Sequence, residues 1–247
     1  MKRHKLHHFI RKIHRYAGLF LGIQLLLWTA GGVYFSWTQL PQIRGEHLIR
    51  PQPFHQPLPM ALVPIDSVIK RLPPSTQIAR AILQPCPYGW CYLVQRSTGT
   101  PLLFDAQTAK HLPPLDSSTA IQIAKTYFLP EAKVHHVQYI DSSNVHRYPE
   151  YRERPLPAWR IQFDHPEHPA LYINIHTHAL EVIRTRPWRI FDFLWMLHTM
   201  DYRTRDNFNN PLLRLTALST LLFVLTGFVL WYLSSPTLRK WRKRYHR

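Results

Sequence analysis

The sequence predicts an α+β membrane protein, with two transmembrane helices flanking an exported region built from one or two small units, each a helix on an antiparallel sheet. Three observations predict it. Apolar runs at residues 16–37 and 212–233 stand near opposite ends of the 247-residue chain. A dense cluster of Lys and Arg lies outside each run. Between the runs, the pattern helix, strand, strand, strand occurs twice.

Each run is about 22 residues, which as a helix rising ~1.5 Å per residue reaches about 33 Å, enough for a hydrocarbon layer of ~30 Å. The tail at residues 1–15 carries Lys2, Arg3, Lys5, Arg11, Lys12 and Arg15, and the tail at 234–247 carries Arg239, Lys240, Arg242, Lys243, Arg244 and Arg247, with no acid in either. Basic residues beside a span are retained in the cytoplasm. Both tails are therefore expected inside the bacterial inner membrane, and the region between the spans in the periplasm. The net charge of +17 is concentrated in these tails, so it reads as topology anchoring against anionic head groups and not as a nucleic-acid surface. A cleavable signal peptide fits poorly: the first apolar run is too long, and Trp37-Thr38-Gln39-Leu40 lacks a small-x-small site.

Residues 38–64 form a linker in which Pro41, Pro51, Pro53, Pro57, Pro59 and Pro64 deny both helix and central strand. The first unit, 65–115, is expected to hold a helix at 65–72 and strands at 77–84, 90–95 and 101–105. The second, 116–186, is expected to hold a helix at 117–129 and strands at 133–140, 158–164 and 170–175. The third strand of each runs into a polar turn, and Leu-Leu-Phe-Asp-Ala-Gln-Thr-Ala (102–109) aligns with Leu-Tyr-Ile-Asn-Ile-His-Thr-His (171–178) residue for residue. The only two cysteines, Cys86 and Cys91, flank a Pro/Gly turn. An oxidising compartment would join them as a hairpin clip. The other reading, a thioredoxin-like pair, wants two intervening residues and not four.

The helix starting at Ser117, the strand Pro157-Ala-Trp-Arg-Ile-Gln-Phe and the strand and turn starting at Leu171 resemble a PepSY domain. That family's final turn reads Asp-x-x-Thr-Gly-Glu. Here Asn174 stands in the Asp position and His178 in the Gly position, which leaves the shape of the turn open. Arg186-Pro-Trp-Arg-Ile-Phe-Asp-Phe-Leu-Trp-Met-Leu-His-Thr-Met-Asp-Tyr, then Asn207-Phe-Asn-Asn-Pro and a span, is similar to the PepSY-associated transmembrane family of bacterial inner-membrane proteins. So is His14-Arg-Tyr-Ala-Gly-Leu ahead of the first span. The exported units are then PepSY-like, and residues 187–203 form an amphipathic helix at the membrane interface.

The chain has 16 histidines, most of them in polar stretches. His14 differs, because it precedes the first span and begins a stripe of small residues, Gly18, Gly22, Thr29, Gly32 and Ser36. The second span carries a similar stripe in Thr216, Ser219, Thr220, Thr226 and Gly227. Such stripes let a neighbouring helix or a flat macrocycle approach the backbone. His198 lies on the aromatic face formed by Trp188, Phe191, Leu194 and Trp195. Neutral imidazole there is a competent axial ligand for haem iron. His176 and His178 would share a face able to chelate a metal if the strand continued through them.

The resemblance implies more. Larger relatives are implicated in iron uptake and siderophore reduction, with haem between four spanning helices. A homodimer of this two-span chain would restore four helices, with His14 and His198 as ligands of haem b and Arg203 and Arg205 either neutralising propionates or pairing with nearby acids. The expected function is then an electron-transfer component linked to iron or siderophore reduction, with a ferric complex as periplasmic partner. The alternative is a non-catalytic envelope protein whose PepSY-like region docks a periplasmic protein such as a peptidase. A third reading is an accessory subunit of a larger uptake system. No Gly-x-Ser-x-Gly, His-Glu-x-x-His, phosphate loop or dinucleotide fingerprint is present, so any catalysis requires a bound cofactor.

Overall fold

The computed structural model describes residues 2–51, 54 and 57–236, with the backbone alone for 2–7. The C-terminal cluster Arg239, Lys240, Arg242, Lys243, Arg244 and Arg247 lies outside the described residues. The chain divides into a helical unit, residues 1–39 and 190–247, and an α+β unit, residues 40–189.

The first helix, α1 (Lys2–Trp37), runs unbroken from the basic tail through the apolar run. Short turns follow: α2 (Leu40–Ile43), a 3-10 turn at Glu46–Leu48, and α3 (Ile65–Ile69). Gly45 is required between the first two. Its φ is 72° and an added Cβ would lie 2.8 Å from the Thr185 methyl, so both the backbone and the space exclude a side chain.

Four strands then form one antiparallel meander in the order β1 (Ile78–Cys86), β2 (Gly89–Arg96), β3 (Leu102–Asp105) and β4 (His111–Leu112). Helix α4 (Ser117–Tyr127) opens the second unit. Asp116 caps it, accepting from the Thr119 amide at 2.8 Å, and Ala120, Ile123 and Ala124 form its buried face at helical spacing. A second meander follows in the order β5 (Val134–Ile140), β6 (Ala158–Phe163), β7 (Ala170–Asn174) and β8 (Leu180–Arg184). The fourth strand of each sheet was not legible in the sequence: two residues cannot display a period, and the partly buried positions of β8 show little alternation.

The internal repeat extends to individual hydrogen bonds. Asp105 pairs with Cys91 across β3 and β2, as Asn174 pairs with Ala158 across β7 and β6. That register makes Tyr92 equivalent to Trp159. The Tyr92 hydroxyl donates to the Val63 carbonyl at 2.8 Å, and the Trp159 indole N–H donates to the Leu115 carbonyl at 2.7 Å. Val63 and Leu115 each stand just before the residue that caps the following helix, α3 or α4. Each also donates its own amide, at 2.9 Å, to the carbonyl of Ala106 or Ile175, the residue after the aligned Asp or Asn. The same clamp thus fixes the start of a helix against the end of the third strand in both units.

Strand alternation sorts the cores. Val68, Tyr92, Val94 and Phe104 pack on the helix side of the first sheet, while Cys86, Cys91, Leu93 and Leu103 pack on the other. In the second sheet, Ile161, Phe163, Leu171 and Ile173 meet α4, and Ala158, Ala170 and Tyr172 are covered by the segment containing Tyr151. Burial on both faces explains why β7 is buried at every position. Cys86 and Cys91 are joined by a disulfide with Cα atoms 5.9 Å apart, and Gly89 takes φ 123° to close the hairpin between them.

The helical unit is completed by the end of α5 (Arg186–Thr199), whose residues from Ile190 onward belong to it, and by α6 (Pro211–Ser234). Asn210 caps α6 through a 2.8 Å bond from the Leu213 amide, with Pro211 in the first turn. Early α1 residues meet late α6 residues, as in the contacts of His14 with Thr226 and of Gly18 with Phe223, so the two long helices run antiparallel.

Candidate functional site

His14 is held on α6 by three contacts. Its Nδ1 lies 2.8 Å from Thr226 Oγ1. Its ring stacks on Phe223 with centroids 4.3 Å apart and planes 7° from parallel. The third contact is Gly227: a Cβ built there would lie 3.3 Å from His14 Cε1, so the missing side chain makes room for the ring. In the same way Gly18 makes room for Phe223, at 3.2 Å. The remaining glycines of the stripe behave differently, since a Cβ on Gly22 or Gly32 meets nothing within 4 Å. The small-residue face therefore divides into a part packed on α6 and a part left open.

His198 sits on the face of α5 that packs on the second half of α1. Phe35 touches Phe191, Trp195 and His198, with centroids 4.9, 6.2 and 6.4 Å away, and Trp28 lies 5.7 Å from the His198 ring. Gln24 joins the helices by donating to the Leu197 carbonyl at 3.1 Å. Trp28 Nε1 is buried with no hydrogen-bond partner among the described residues, an orphaned donor beside an exposed imidazole. His14 and the Trp28 that meets His198 are 14 residues apart on α1, which separates the two imidazole sites by about 21 Å along the helix.

The segment between α5 and α6 is ordered by Asp201. Its carboxylate accepts from the amides of Arg203, Thr204 and Asn207 and from the Thr204 hydroxyl. These bonds, the Thr204 hydroxyl first among them, hold the Asp201 carboxyl far below the usual range. Asn210 closes the segment by donating to the Thr199 carbonyl at 2.9 Å. Arg205 pairs with the buried Asp192 on α5. Its guanidinium is thus committed to a protein carboxylate, whereas Arg203 bonds Asp201 through its backbone amide.

In the α+β unit, β7 stops at Asn174, before His176 and His178. Asn174 Oδ1 accepts from the amides of His176 and Thr177, both at 2.9 Å, so the turn follows the Asp105 turn, where Oδ1 accepts from Gln107 and Thr108 at 3.0 and 2.7 Å. His178 takes the left-handed conformation at φ 55°, as Ala109 does at φ 52°. The turn is retained although histidine stands where the family pattern has glycine. His178 Nε2 lies 3.1 Å from the Pro113 carbonyl and its ring meets Tyr88 edge-on; burial lowers its basicity and outweighs the bond to Pro113, which raises it. No strand face therefore carries the two imidazoles side by side. Among the described residues, no group of three or more His, Cys, Asp or Glu is arranged to hold a metal ion.

Sequence reasoning missed a polar cluster on the face of the second sheet away from α4. Glu150 accepts from Arg189 at 2.6 Å and from the Tyr172 hydroxyl at 2.7 Å, and lies 3.6 Å from Arg160. Arg184 donates to the Glu150 carbonyl at 2.7 Å and stacks 3.9 Å over Trp188. Burial would raise the Glu150 carboxyl. The bonds from Arg189, followed by Tyr172 and the charge of Arg160, outweigh it and keep the group ionised. The one signal in the sequence was Glu150 and Glu153 among Arg147, Arg152 and Arg154, a pattern that does not say which acid is buried.

Both long helices contain a stretch apolar enough to cross a membrane, with mean hydropathy of 1.5 over an 18-residue stretch within His8–Trp37 and 1.9 over one within Pro211–Ser234. α6 has no buried residue and exposes Leu215, Leu218, Leu221, Leu222, Phe228 and Trp231. Such a surface is stable against lipid and not against water. A family model described as the PepSY-associated TM region matches residues 11–247. The chain belongs to that family. As a PepSY-associated membrane protein it contacts the lipid bilayer through α1 and α6. No curated protein and no solved structure matches it.

Proposed function

We propose that this PepSY-associated membrane protein binds haem b between the helices of a homodimer and passes electrons across the inner membrane to a periplasmic ferric complex. The observation that carries the reading is the state of His14. Thr226 Oγ1 donates its single proton to the Phe223 carbonyl at 2.7 Å. With its hydrogen so placed, the oxygen matches a His14 protonated on Nδ1, which would leave Nε2 a lone pair for a metal. An imidazole whose second nitrogen is bonded to the protein is the usual form of a metal-ligating histidine. Haem, when bound, supplies reversible one-electron chemistry.

The chain's own residues would hold it. His14 and its mate in a second copy donate near one membrane face, and His198 and its mate near the other. The open glycines Gly22 and Gly32 admit a close neighbour, and the orphaned Trp28 N–H offers a donor beside His198. Arg203 remains for a propionate, while Arg205 serves Asp192. The antiparallel path of α1 and α6, together with the basic residues flanking the two apolar runs in the sequence, supports a topology with both termini cytoplasmic and residues 40–189 periplasmic. The test is an optical spectrum of the full chain purified in detergent after expression with ample haem. A Soret band that weakens in His14→Ala and His198→Ala supports the reading, and its absence from the wild type overturns it.

A second reading, docking of a periplasmic protein, is favoured by one feature: β1 is a nine-residue strand at the edge of its sheet, a template for an added strand. Co-purification of such a partner with a haem-free chain would support it.

A further inference from the structure

The rotation and the proton of the His14 ring are both determined by α6. Stacking on Phe223 sets the plane of the ring, and the close approach to Gly227 sets how deeply it seats. What remains is which nitrogen carries the proton. Thr226 decides it, because its hydroxyl has one hydrogen and a backbone acceptor at i−3. With that hydrogen on the Phe223 carbonyl at 2.7 Å, the oxygen can only accept, and the group facing it at 2.8 Å is His14 Nδ1. Among the described residues Nε2 has no hydrogen bond.

We propose that Thr226 is a positioning residue that locks His14 as the Nδ1–H tautomer, so that Nε2 is presented as an electron-pair donor to an iron or similar metal centre. The proposal rests on the haem reading for the identity of that centre, but the tautomer itself does not. The Thr226 hydroxyl acts on the metal only through His14. It orients the ring, removes the competing tautomer and places a hydrogen bond on the distal nitrogen, which strengthens the donor. A serine preserves this chain of bonds. A valine keeps the shape and removes it.

The experiment has two arms on the full-length chain in detergent. In the first, without haem, nitrogen-15 spectra of histidine-labelled protein are recorded, with His14→Gln identifying the resonance. The wild type is expected to show a protonated Nδ1 and a bare Nε2. Thr226→Val should shift His14 towards the Nε2–H form, and Thr226→Ser should restore the wild-type pattern. A wild-type His14 protonated on Nε2 overturns the proposal without recourse to any variant. In the second arm haem is titrated and the Soret band followed, with Thr226→Val expected to bind about 10- to 100-fold more weakly and Thr226→Ser close to wild type. If the wild type takes up no haem while the first arm holds, the functional reading falls and the tautomer assignment stands. If haem binds through His14 and Thr226→Val changes neither tautomer nor affinity, the assignment falls and the functional reading stands.

Discussion

Ala109 and His178 end equivalent turns in the same left-handed backbone conformation, with φ of 52° and 55°. Each amide returns to the carbonyl of the residue that opens its turn, Asp105 at 2.9 Å and Asn174 at 3.0 Å. Glycine relieves about 1 kcal/mol of strain at such a position. Ala109→Gly gives most of that back by losing a buried methyl, worth about 0.8 kcal/mol, so it should be nearly neutral. His178→Gly also loses the packing on Tyr88 and the bond to Pro113, and should destabilise by about 2 kcal/mol. Thermal unfolding of the two variants, followed by tryptophan fluorescence in detergent, checks the contrast.

Glu150 is bonded by both Arg189 and Tyr172. Glu150→Ala leaves two arginines and a hydroxyl facing a buried gap and should cost about 2 to 3 kcal/mol, less than for a fully enclosed pair because Arg189 is a third exposed. Glu150→Gln keeps an acceptor for Tyr172 and should cost less. Urea midpoints of the two variants give the comparison.

The Asp116 carboxyl, held by the Ser118 hydroxyl and then by the amide and hydroxyl of Thr119, falls from 3.8 to about 2. A depressed carboxyl stabilises the fold while ionised. Its contribution is therefore complete above pH ~4 and is lost as pH falls towards ~2. Asp116→Asn keeps a cap but does not titrate. The melting-temperature gap between wild type and this variant should be constant above pH ~5 and close between pH ~4 and ~2.

The Cys86–Cys91 bridge closes a loop with a sequence separation of only 5. Restricting so short a loop in the unfolded chain is worth about 2 kcal/mol. Cys86→Ala with Cys91→Ala should lower stability by about that amount. Reductant should lower the wild type and leave the double variant unchanged, as read by the same fluorescence melts.

Elements with a strong local period were legible in the residues themselves. Helix α4 begins at Ser117 as expected because Asp116 and the Ala120, Ile123, Ala124 face are local signals, and β6 and β7 begin at Ala158 and Ala170 as expected for the same reason. β4 and β8 were not, since a two-residue strand and a half-buried edge take their identity from the strand beside them. Asp105 and Asn174 aligned in the sequence, but only the backbone geometry could establish that the turn survives with histidine at its left-handed position.

The order of apolar runs, basic flanks and repeated units is a property of the linear chain, because hydrophobicity, charge and periodicity act over neighbouring residues. The partners of His14, Asp192 and Glu150 are not, because Thr226, Arg205 and Arg189 lie far away or across turns whose geometry no local pattern encodes. The sequence alone set His14 and His198 apart from the other histidines. Folding decided what each meets, Thr226 and Phe223 for His14 and Trp28 and Phe35 for His198, since those contacts join helices distant in the chain.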